Sequence, residues 1–317
     1  MKHSDSPIFF GFLIGKYGFT IDNLVSVELV TANGEVVQAS KKDNSELFWG
    51  LRGGGGNFGI ATSFEFQLCQ VGPTVHGGRI VYPVTVAKDM FRFYRDLTID
   101  AEDELAVIAG LTHMPDGLGT KLAVMLVGHC GAPVSAVAAL EPIKNFGSPI
   151  VDELGPIDYC NLNQMLDPGV PKLDLYYWKA CFIDELSDDV IDVLDEQFAC
   201  CPSPKSKLLI EHFHGAAVCP DPSATAYPHR NAGYSILIIA QWLAADHIEK
   251  NIAWAKETYD RLMPYSRNAA YSNYMDDDET MTRVKQAYGE NFYRLQKLKN
   301  QYDPTNLFHR NQNIPPS

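Results

Sequence analysis

The stretch Glu46-Leu-Phe-Trp-Gly-Leu-Arg-Gly-Gly-Gly-Gly-Asn-Phe-Gly59 contains four consecutive glycines between a predicted helix and a predicted strand. Asp43-Asn44-Ser45 supplies residues that cap helix N-termini, so we expect a short helix to begin there and run through Leu51. Residues 62–68 alternate apolar and polar side chains with period two, which is typical of a half-buried strand. The glycine stretch therefore connects a helix to the strand that follows it.

Gly54, Gly56 and Gly59 match the G-x-G-x-x-G fingerprint of dinucleotide-binding proteins, but the neighbouring elements argue against a nicotinamide dehydrogenase. That fingerprint follows a strand and opens a helix, whereas here a helix precedes the glycines and a strand follows them. Successive glycines permit positive φ and a close approach of the backbone to another group. Their exposed amides can face an anion or the edge of a planar ring, and a plain tight turn is the alternative interpretation.

The composition is that of a folded protein with an acidic surface. The chain has 317 residues, of which 46% are hydrophobic and 21% charged, enough for one large domain or two ordinary ones. Its net charge of −13 would repel nucleic-acid phosphates and anionic lipid, so neither nucleic acid nor membrane is an expected partner. No apolar run approaches the roughly 20 residues that a membrane-spanning helix needs.

Cysteine and histidine positions give no metal site. The seven cysteines are odd in number and scattered, which favours reduced thiols and a cytoplasmic location. His212 and His214 share one face of a predicted strand, but no third ligand lies near them in the sequence. We therefore expect no bound metal.

Three regions of the chain differ in pattern, with boundaries near residues 72 and 268. Residues 1–72 contain the glycine stretch and an Asn33-Gly34 hairpin turn. Residues 73–268 alternate amphipathic helices with apolar strands, which predicts a sheet covered by helices. Residues 269–317 combine a motif-rich turn with a charged helix predicted over residues 279–302.

A tyrosine motif opens the third region and could carry chemistry. In Tyr271-Ser-Asn-Tyr274, an extended backbone would direct Tyr271 and Asn273 to one side and Tyr274 to the other. A phenol acts as a general base only when its surroundings lower its pKa from about 10. Two tyrosines that merely pack in the core are the alternative interpretation.

In order along the chain, these motifs resemble the berberine-bridge-enzyme-like branch of the FAD-linked oxidases, which carry a PCMH-type flavin domain. The resemblance begins near residue 9, and its further segments are Lys16-Tyr-Gly-Phe-Thr-Ile-Asp-Asn-Leu24, Tyr227-Pro-His-Arg230, Tyr288-Gly-Glu-Asn-Phe-Tyr-Arg-Leu295, Asp303-Pro-Thr-Asn-Leu-Phe308 and Asn311-Gln-Asn-Ile-Pro-Pro316. It implies an α+β fold in which residues 1–72 and 269–317 form part of the FAD-binding domain. Residues 73–268 would form a substrate domain whose antiparallel sheet is covered by helices.

The resemblance also implies ligands and site residues. Family members oxidise alcohols, sugars or secondary metabolites by transferring a hydride to the flavin and then electrons to O2, so FAD, O2 and a small-molecule substrate are the implied ligands. Tyr274 occupies the place of the proton-abstracting base, with Tyr271 beside it. The implied flavin contacts are Tyr17, Gly18, Asp22, Asn23, Gly55, Asn57, Gly59, Ile60, Asn273 and Asn311.

Family members begin with a lobe that holds the FAD pyrophosphate and attaches the flavin through a histidine, often with an added cysteine. The motifs in this sequence match only the part of the family that follows this lobe, so we expect the covalent-attachment residues to be absent from the chain. Three hypotheses follow: an FAD-linked oxidase, half of a split enzyme whose partner chain supplies the lobe, or a non-catalytic remnant that binds ligands or forms homo-oligomers.

Overall fold

The computed structural model describes residues 11–115, 118–243, 247–267, 269, 274–275, 280–310 and 312–317. Its strands are β1 (Leu24–Val30), β2 (Val36–Ser40), β3 (Ile60–Phe66), β4 (Thr74–Pro83), β5 (Leu105–His113), β6 (Lys121–His129), β7 (Val151–Asp152), β8 (Gly155–Asp158), β9 (Leu175–Ile183), β10 (Lys207–Phe213) and β11 (Gly233–Trp242). Its α-helices are α1 (Ile14–Tyr17), α2 (Ser45–Leu51), α3 (Ala87–Ile99), α4 (Pro133–Lys144), α5 (Tyr159–Asn163), α6 (Asp188–Ala199), α7 (Ile248–Leu262), α8 (Met281–Tyr288) and α9 (Phe292–Tyr302).

The strands form two antiparallel sheets. The larger has eight strands in the order β7-β4-β6-β5-β10-β11-β9, with β8 also paired to β4. The smaller has the order β2-β1-β3. Mixed helices and antiparallel sheets confirm the α+β class that the sequence predicted.

Helices α3, α6 and α7 cover one face of the large sheet because each has an apolar stripe at helical spacing. In α3 this stripe includes Met90, Phe91 and Tyr94, all fully buried against the sheet. A buried side chain of this size contributes about 1.5–3 kcal/mol relative to an exposed one. All ten residues of β11 are buried, so this central strand has buried side chains on both faces of the sheet.

The small sheet packs with α2, α8 and α9 around a second core. Its first two strands form the hairpin that the Asn-Gly pair predicted: Val30 pairs with Val36, and Gly34 has φ +83°, which suits glycine. Leu295 and Leu298 of α9 reach this core from the far end of the chain. The first and third regions of the sequence therefore share one hydrophobic core.

One predicted element is wrong. The charged segment 279–302 is not a single helix, because α8 ends at Tyr288 and α9 begins at Phe292. Gly289 lies between them with φ +49°, a left-handed conformation that interrupts the helix and that glycine adopts readily. No helix among the described residues is long and apolar enough to cross a membrane.

Candidate active site

The face of the large sheet opposite its helices carries an apolar patch on its central strands. Leu209 of β10 and Leu237 and Ile239 of β11 form its centre, and each is at least nine-tenths buried. Ile108, Tyr176, Trp178 and Tyr274 pack around this centre. We call these seven residues the apolar face.

Glu211 lies at one end of the apolar face. It follows Leu209 by two residues on β10, so both side chains point to the same side of the sheet. The Tyr274 hydroxyl donates a hydrogen bond to Glu211 Oε1 at 3.3 Å. Burial raises the pKa of Glu211 to about 8, although the neighbouring hydroxyls of Tyr274 and Ser235 oppose this shift. A carboxyl that titrates near neutrality beside a phenol can take up and return a proton.

Two buried oxygen atoms at this end are incompletely hydrogen-bonded. Glu211 Oε2 and Ser235 Oγ make no well-aligned hydrogen bond within the described part of the chain, although the Ser235 hydroxyl lies close enough to lower the pKa of Glu211. The two residues are directly paired across β10 and β11. Because unpaired buried polar atoms are costly and uncommon, they indicate a position where a ligand or water supplies the missing hydrogen bonds.

Tyr274 packs against both the rest of the apolar face and an aromatic cluster that contains Phe213 of β10. Its ring centroid lies 5.8 Å from that of Trp178. The next residue, Met275, packs against the core of the small sheet and accepts a hydrogen bond at its carbonyl from Gln312. The other tyrosine of the motif, Tyr271, and the predicted flavin contact Asn273 lie outside the described residues.

In the 53–59 stretch, Gly55 and Gly59 show why the loop contains glycine. A Cβ on Gly59 would lie 2.6 Å from the carbonyl oxygen of Val30, so only glycine allows this approach to β1. Gly55 has φ +68°, and a Cβ there would meet nothing nearer than 3.7 Å. The loop is thus tightly packed at Gly59, and at Gly55 it needs the positive φ that glycine adopts readily. Ile60, which follows it, is 63% exposed.

Hydrogen bonds of the Asn57 side chain connect this loop to the C-terminal segment. Its amide donates to the carbonyls of Gly54 and Gln312, and its Oδ1 accepts a hydrogen bond from the backbone N–H of Ile314. Asn57 is 1% exposed. The structure therefore places Asn57, a predicted flavin contact, among protein groups, while Asn311 lies outside the described residues.

The predicted flavin contacts around α1 and the turn after it also form hydrogen bonds with nearby protein groups. Tyr17 donates from its hydroxyl to the carbonyl of Gln70, and Asn23 donates to the carbonyls of Tyr17 and Phe19. Gly18 has φ +73° and lies between them. This arrangement presents the α1 turn as one compact unit.

Asp22 in that turn is held by a buried arginine. Arg230 donates from both terminal nitrogens to the two Asp22 oxygens, each at 2.7 Å, and is 3% exposed. Asp22 also accepts from the backbone N–H of Phe19. A bidentate buried pair of this kind fixes geometry. Asp22 therefore positions the turn, and its carboxylate is already paired.

Phe19 and Tyr227 pack between the α1 turn, the glycine loop and strand β10. The ring of Phe19 meets Phe213 of β10 at 5.9 Å and Tyr227 at 5.4 Å, both edge to face. A Cβ on Gly53 would lie 2.4 Å from the backbone nitrogen of Tyr227. The α1 turn, the glycine loop and the Glu211 strand therefore pack around one aromatic cluster.

Two further features are a stacked histidine pair and a cavity on the helical side. His212 and His214 stack with ring centroids 4.7 Å apart, and no metal-binding group of three or more side chains occurs among the described residues. A cavity of about 460 Å³ lies on the helical side, next to Lys88, Arg92 and Lys121. These cations already pair with Asp192, Asp188 and the Ala199 carbonyl, and the cavity is remote from Glu211.

Sequence reasoning missed Glu211. The residue was visible only as part of the Glu211-His-Phe-His-Gly215 stretch that raised the question of a metal. Glu211 directly follows the apolar run Leu208-Leu-Ile210 within a strand, and this feature could have indicated it, because a carboxyl there is usually buried or functional.

Comparisons with known proteins agree with the fold and with the motifs. A family model described as "Berberine and berberine like" matches residues 270–315. An FAD-linked oxidoreductase of Dictyostelium discoideum is 30% identical over 311 residues, which cover 96% of this chain and 66% of the relative. Tetrahydroberberine oxidase of Berberis wilsoniae is 26% identical over 348 residues, which cover 97% and 65%. The chain thus spans about two thirds of the length of these relatives.

A solved structure of an oxidase has the same fold as this chain. 6-Hydroxy-D-nicotine oxidase from Arthrobacter nicotinovorans superposes with a TM-score of 0.86 at 25% sequence identity. The match covers 98% of this chain and 71% of that protein. Both sheets and their order along the chain are therefore shared with a known oxidase fold.

Proposed function

Because the chain belongs to the berberine-bridge-enzyme-like family of FAD-linked oxidoreductases, we propose that it oxidises a small-molecule alcohol, sugar or secondary metabolite with FAD and O2, and that Tyr274 takes the substrate proton. The proposal assigns residues 1–72 and 269–317 to cofactor binding and residues 73–268 to substrate binding. The hydrogen bond between Tyr274 and the half-buried Glu211 beside the apolar face is the observation that carries it.

The described residues fit one side of a flavin ring. Gly55 has no side chain and Ile60 is apolar and exposed, so a flat group would lie against them without a clash. His214 adjoins Gly15 of α1, and both of its ring nitrogens are buried without a partner among the described residues. Tyr17, Gly18, Gly55, Gly59 and Ile60 are the residues that would hold the ring. Bound FAD would accept a hydride from the substrate carbon and pass the electrons to O2.

Glu211 and Tyr274 would together remove the substrate hydroxyl proton. The substrate O–H gives its proton to the Tyr274 oxygen while Tyr274 gives its own to Glu211 Oε1. The carbon–oxygen double bond then forms as the hydride leaves. This sequence needs Glu211 in its anionic form. Since burial raises its pKa to about 8, we expect the rate to rise with pH toward that value.

Variants of the two residues test this assignment in the full chain reconstituted with FAD. Anaerobic flavin reduction is followed with a set of primary alcohols, aldoses and aromatic alcohols, and the substrate that reduces wild type is used throughout. Tyr274→Phe and Glu211→Gln should each slow reduction by about 10²–10⁴-fold, the range typical of a lost general base. Tyr293→Phe is the matched control, because Tyr293 is 67% exposed. Reduction by Tyr274→Phe within a few-fold of wild type would contradict the role of Tyr274.

A second candidate function follows from the edge of the small sheet. Within the described residues, β3 pairs with β1 alone, and it exposes Ile60 and Phe64 by 63% and 43%. Exposed apolar side chains on an edge strand favour association with another chain. The chain would then act as half of a two-chain enzyme or as a non-catalytic binding module. Light scattering of the purified chain, with and without FAD, separates these cases from a monomeric oxidase.

A further inference from the structure

A polar group lies at the far end of the apolar face from Glu211. Lys207 and Glu211 stand four residues apart on β10 and therefore share one side of the sheet, about 13 Å apart along the strand. Gln241 follows Ile239 by two residues on β11, so it too points to this side. The apolar face is thus bounded by Glu211 and Ser235 at one end and by Lys207 and Gln241 at the other.

The far end contains a buried polar group, Gln241, whose side-chain oxygen has no hydrogen-bond donor within the described residues. Gln241 is 2% exposed, and its amide nitrogen donates to Asp174 Oδ2 at 2.7 Å. Its Oε1 is buried without a partner within the described residues. Asp174 also accepts from Lys205 at 2.9 Å. A buried amide oxygen that the surrounding protein leaves unpaired points to a ligand that donates a hydrogen bond to it.

Lys207 beside this site supplies a donor. Its Nζ donates to the carbonyl of Gly169 at 2.7 Å, which holds the ammonium group against the loop that follows α5. Burial lowers the pKa of Lys207 to about 8, with Asp174 opposing the shift and Lys205 adding to it. An ammonium has three donors, so one carbonyl contact leaves capacity for a ligand acceptor.

Between the two ends, the centre of the apolar face offers mainly carbon to a ligand. Leu209, Leu237, Ile239 and Ile108 carry no hydrogen-bonding side-chain group, and the polar groups around them are the Trp178 indole N–H and the hydroxyls of Tyr176 and Tyr274. A sugar placed here would bury several hydroxyls against carbon. Each unpaired hydroxyl lowers affinity by about tenfold or more. An aromatic ring, by contrast, would gain contacts with Trp178 and Tyr274, whose ring centroids are 5.8 Å apart.

We propose that the substrate is an elongated aromatic alcohol whose far end accepts a hydrogen bond from Lys207 and donates one to Gln241, and not a sugar. This inference rests on the proposed function for the position of the reacting hydroxyl near Glu211. A primary carboxamide meets both requirements at the far end, since its oxygen accepts and its nitrogen donates. Lys207 and Gln241 are then specificity-determining residues of the substrate site.

Ligand binding without turnover tests the proposal. Anaerobic titrations of the full chain with FAD are followed by tryptophan fluorescence and by calorimetry. The probes are an aryl alcohol with a terminal primary carboxamide, the matched methyl ester, which accepts but cannot donate, and cellobiose. Wild type should bind the carboxamide about tenfold more tightly than the ester, and cellobiose more weakly than both.

Two variants assign this preference to residues. Gln241→Leu should abolish the preference for carboxamide over ester, and Lys207→Met should weaken both ligands by about tenfold. Lys172→Met, at an exposed position, is the matched control. A preference that survives Gln241→Leu, or cellobiose binding as tightly as the carboxamide, overturns the proposal. Selective binding that causes no flavin reduction supports this substrate site and counts against the oxidase function alone.

Discussion

Replacing Glu211 with glutamine tests how strongly its surroundings perturb the carboxyl group. Burial raises the pKa of Glu211 from 4.5 to about 8. The folded protein therefore binds this proton more tightly than the unfolded chain does. The stability that the protonated carboxyl contributes is fully present below the unfolded pKa. It is lost as the pH rises through the folded pKa.

The size of this loss follows from the two pKa values. One pKa unit corresponds to about 1.4 kcal/mol. Between about pH 5 and about pH 9, a carboxyl that moves from 4.5 to about 8 on folding costs the protein about 4 kcal/mol. Glu211 is only half-buried as a whole residue, so water access reduces the expected loss to about 2–4 kcal/mol. Because glutamine does not titrate, the Glu211→Gln variant should not show this loss of stability as the pH rises.

Urea unfolding across this pH range measures how the free energies of unfolding of wild type and Glu211→Gln differ. Other titrating groups affect both proteins equally, so the difference in free energy of unfolding isolates Glu211. Glu290→Gln, at an exposed position, is the control and should follow wild type. Parallel pH curves for wild type and Glu211→Gln would refute the inference that the carboxyl is buried and perturbed.

Three further predictions concern a buried ion pair, the glycine loop and the pH dependence of the reaction. Lys299→Met leaves Asp303 buried without its ion-pair partner, now 2.6 Å away, and should lower the free energy of unfolding by about 3 kcal/mol in urea. Gly59→Ala forces a Cβ toward the Val30 carbonyl and should cost about 1–3 kcal/mol, seen as a lower thermal midpoint. In the FAD-loaded chain, kcat/KM should rise with pH up to about 8, and Glu211→Gln should lose that dependence; an unchanged pH profile would contradict proton transfer to Glu211.

The sequence predicted those parts of the fold that local chemistry determines. The hairpin at Gly34 needed only an Asn-Gly pair between two apolar runs. The helix before the glycine loop begins at Ser45 as predicted, although the Asn44 side chain makes no capping hydrogen bond, and the strand after the loop followed from its periodicity. The break at Gly289 was missed because the charged residues on both sides are good helix formers, and a single glycine does not always end a helix.

The candidate site depended on contacts between distant segments, which local patterns do not reveal. Tyr274 and Glu211 are 63 residues apart, and only the sheet register brings the carboxyl to the tyrosine. Asn57 and Asp22 were expected to meet the flavin, yet their polar atoms bind Ile314 and Arg230, far along the chain. The flavin-contact assignments as a group remain predictions.

Flavin retention by the purified chain tests the central claim most directly. FAD is added, the excess is removed by gel filtration, and the absorbance spectrum is recorded before and after anaerobic addition of a substrate alcohol. Ile60→Glu, which places a charge at an exposed position assigned to the ring, serves as the comparison. The account predicts that wild type keeps flavin absorbance that the alcohol bleaches, and that Ile60→Glu keeps much less. A wild-type chain that emerges colourless would contradict FAD binding by the residues assigned to it.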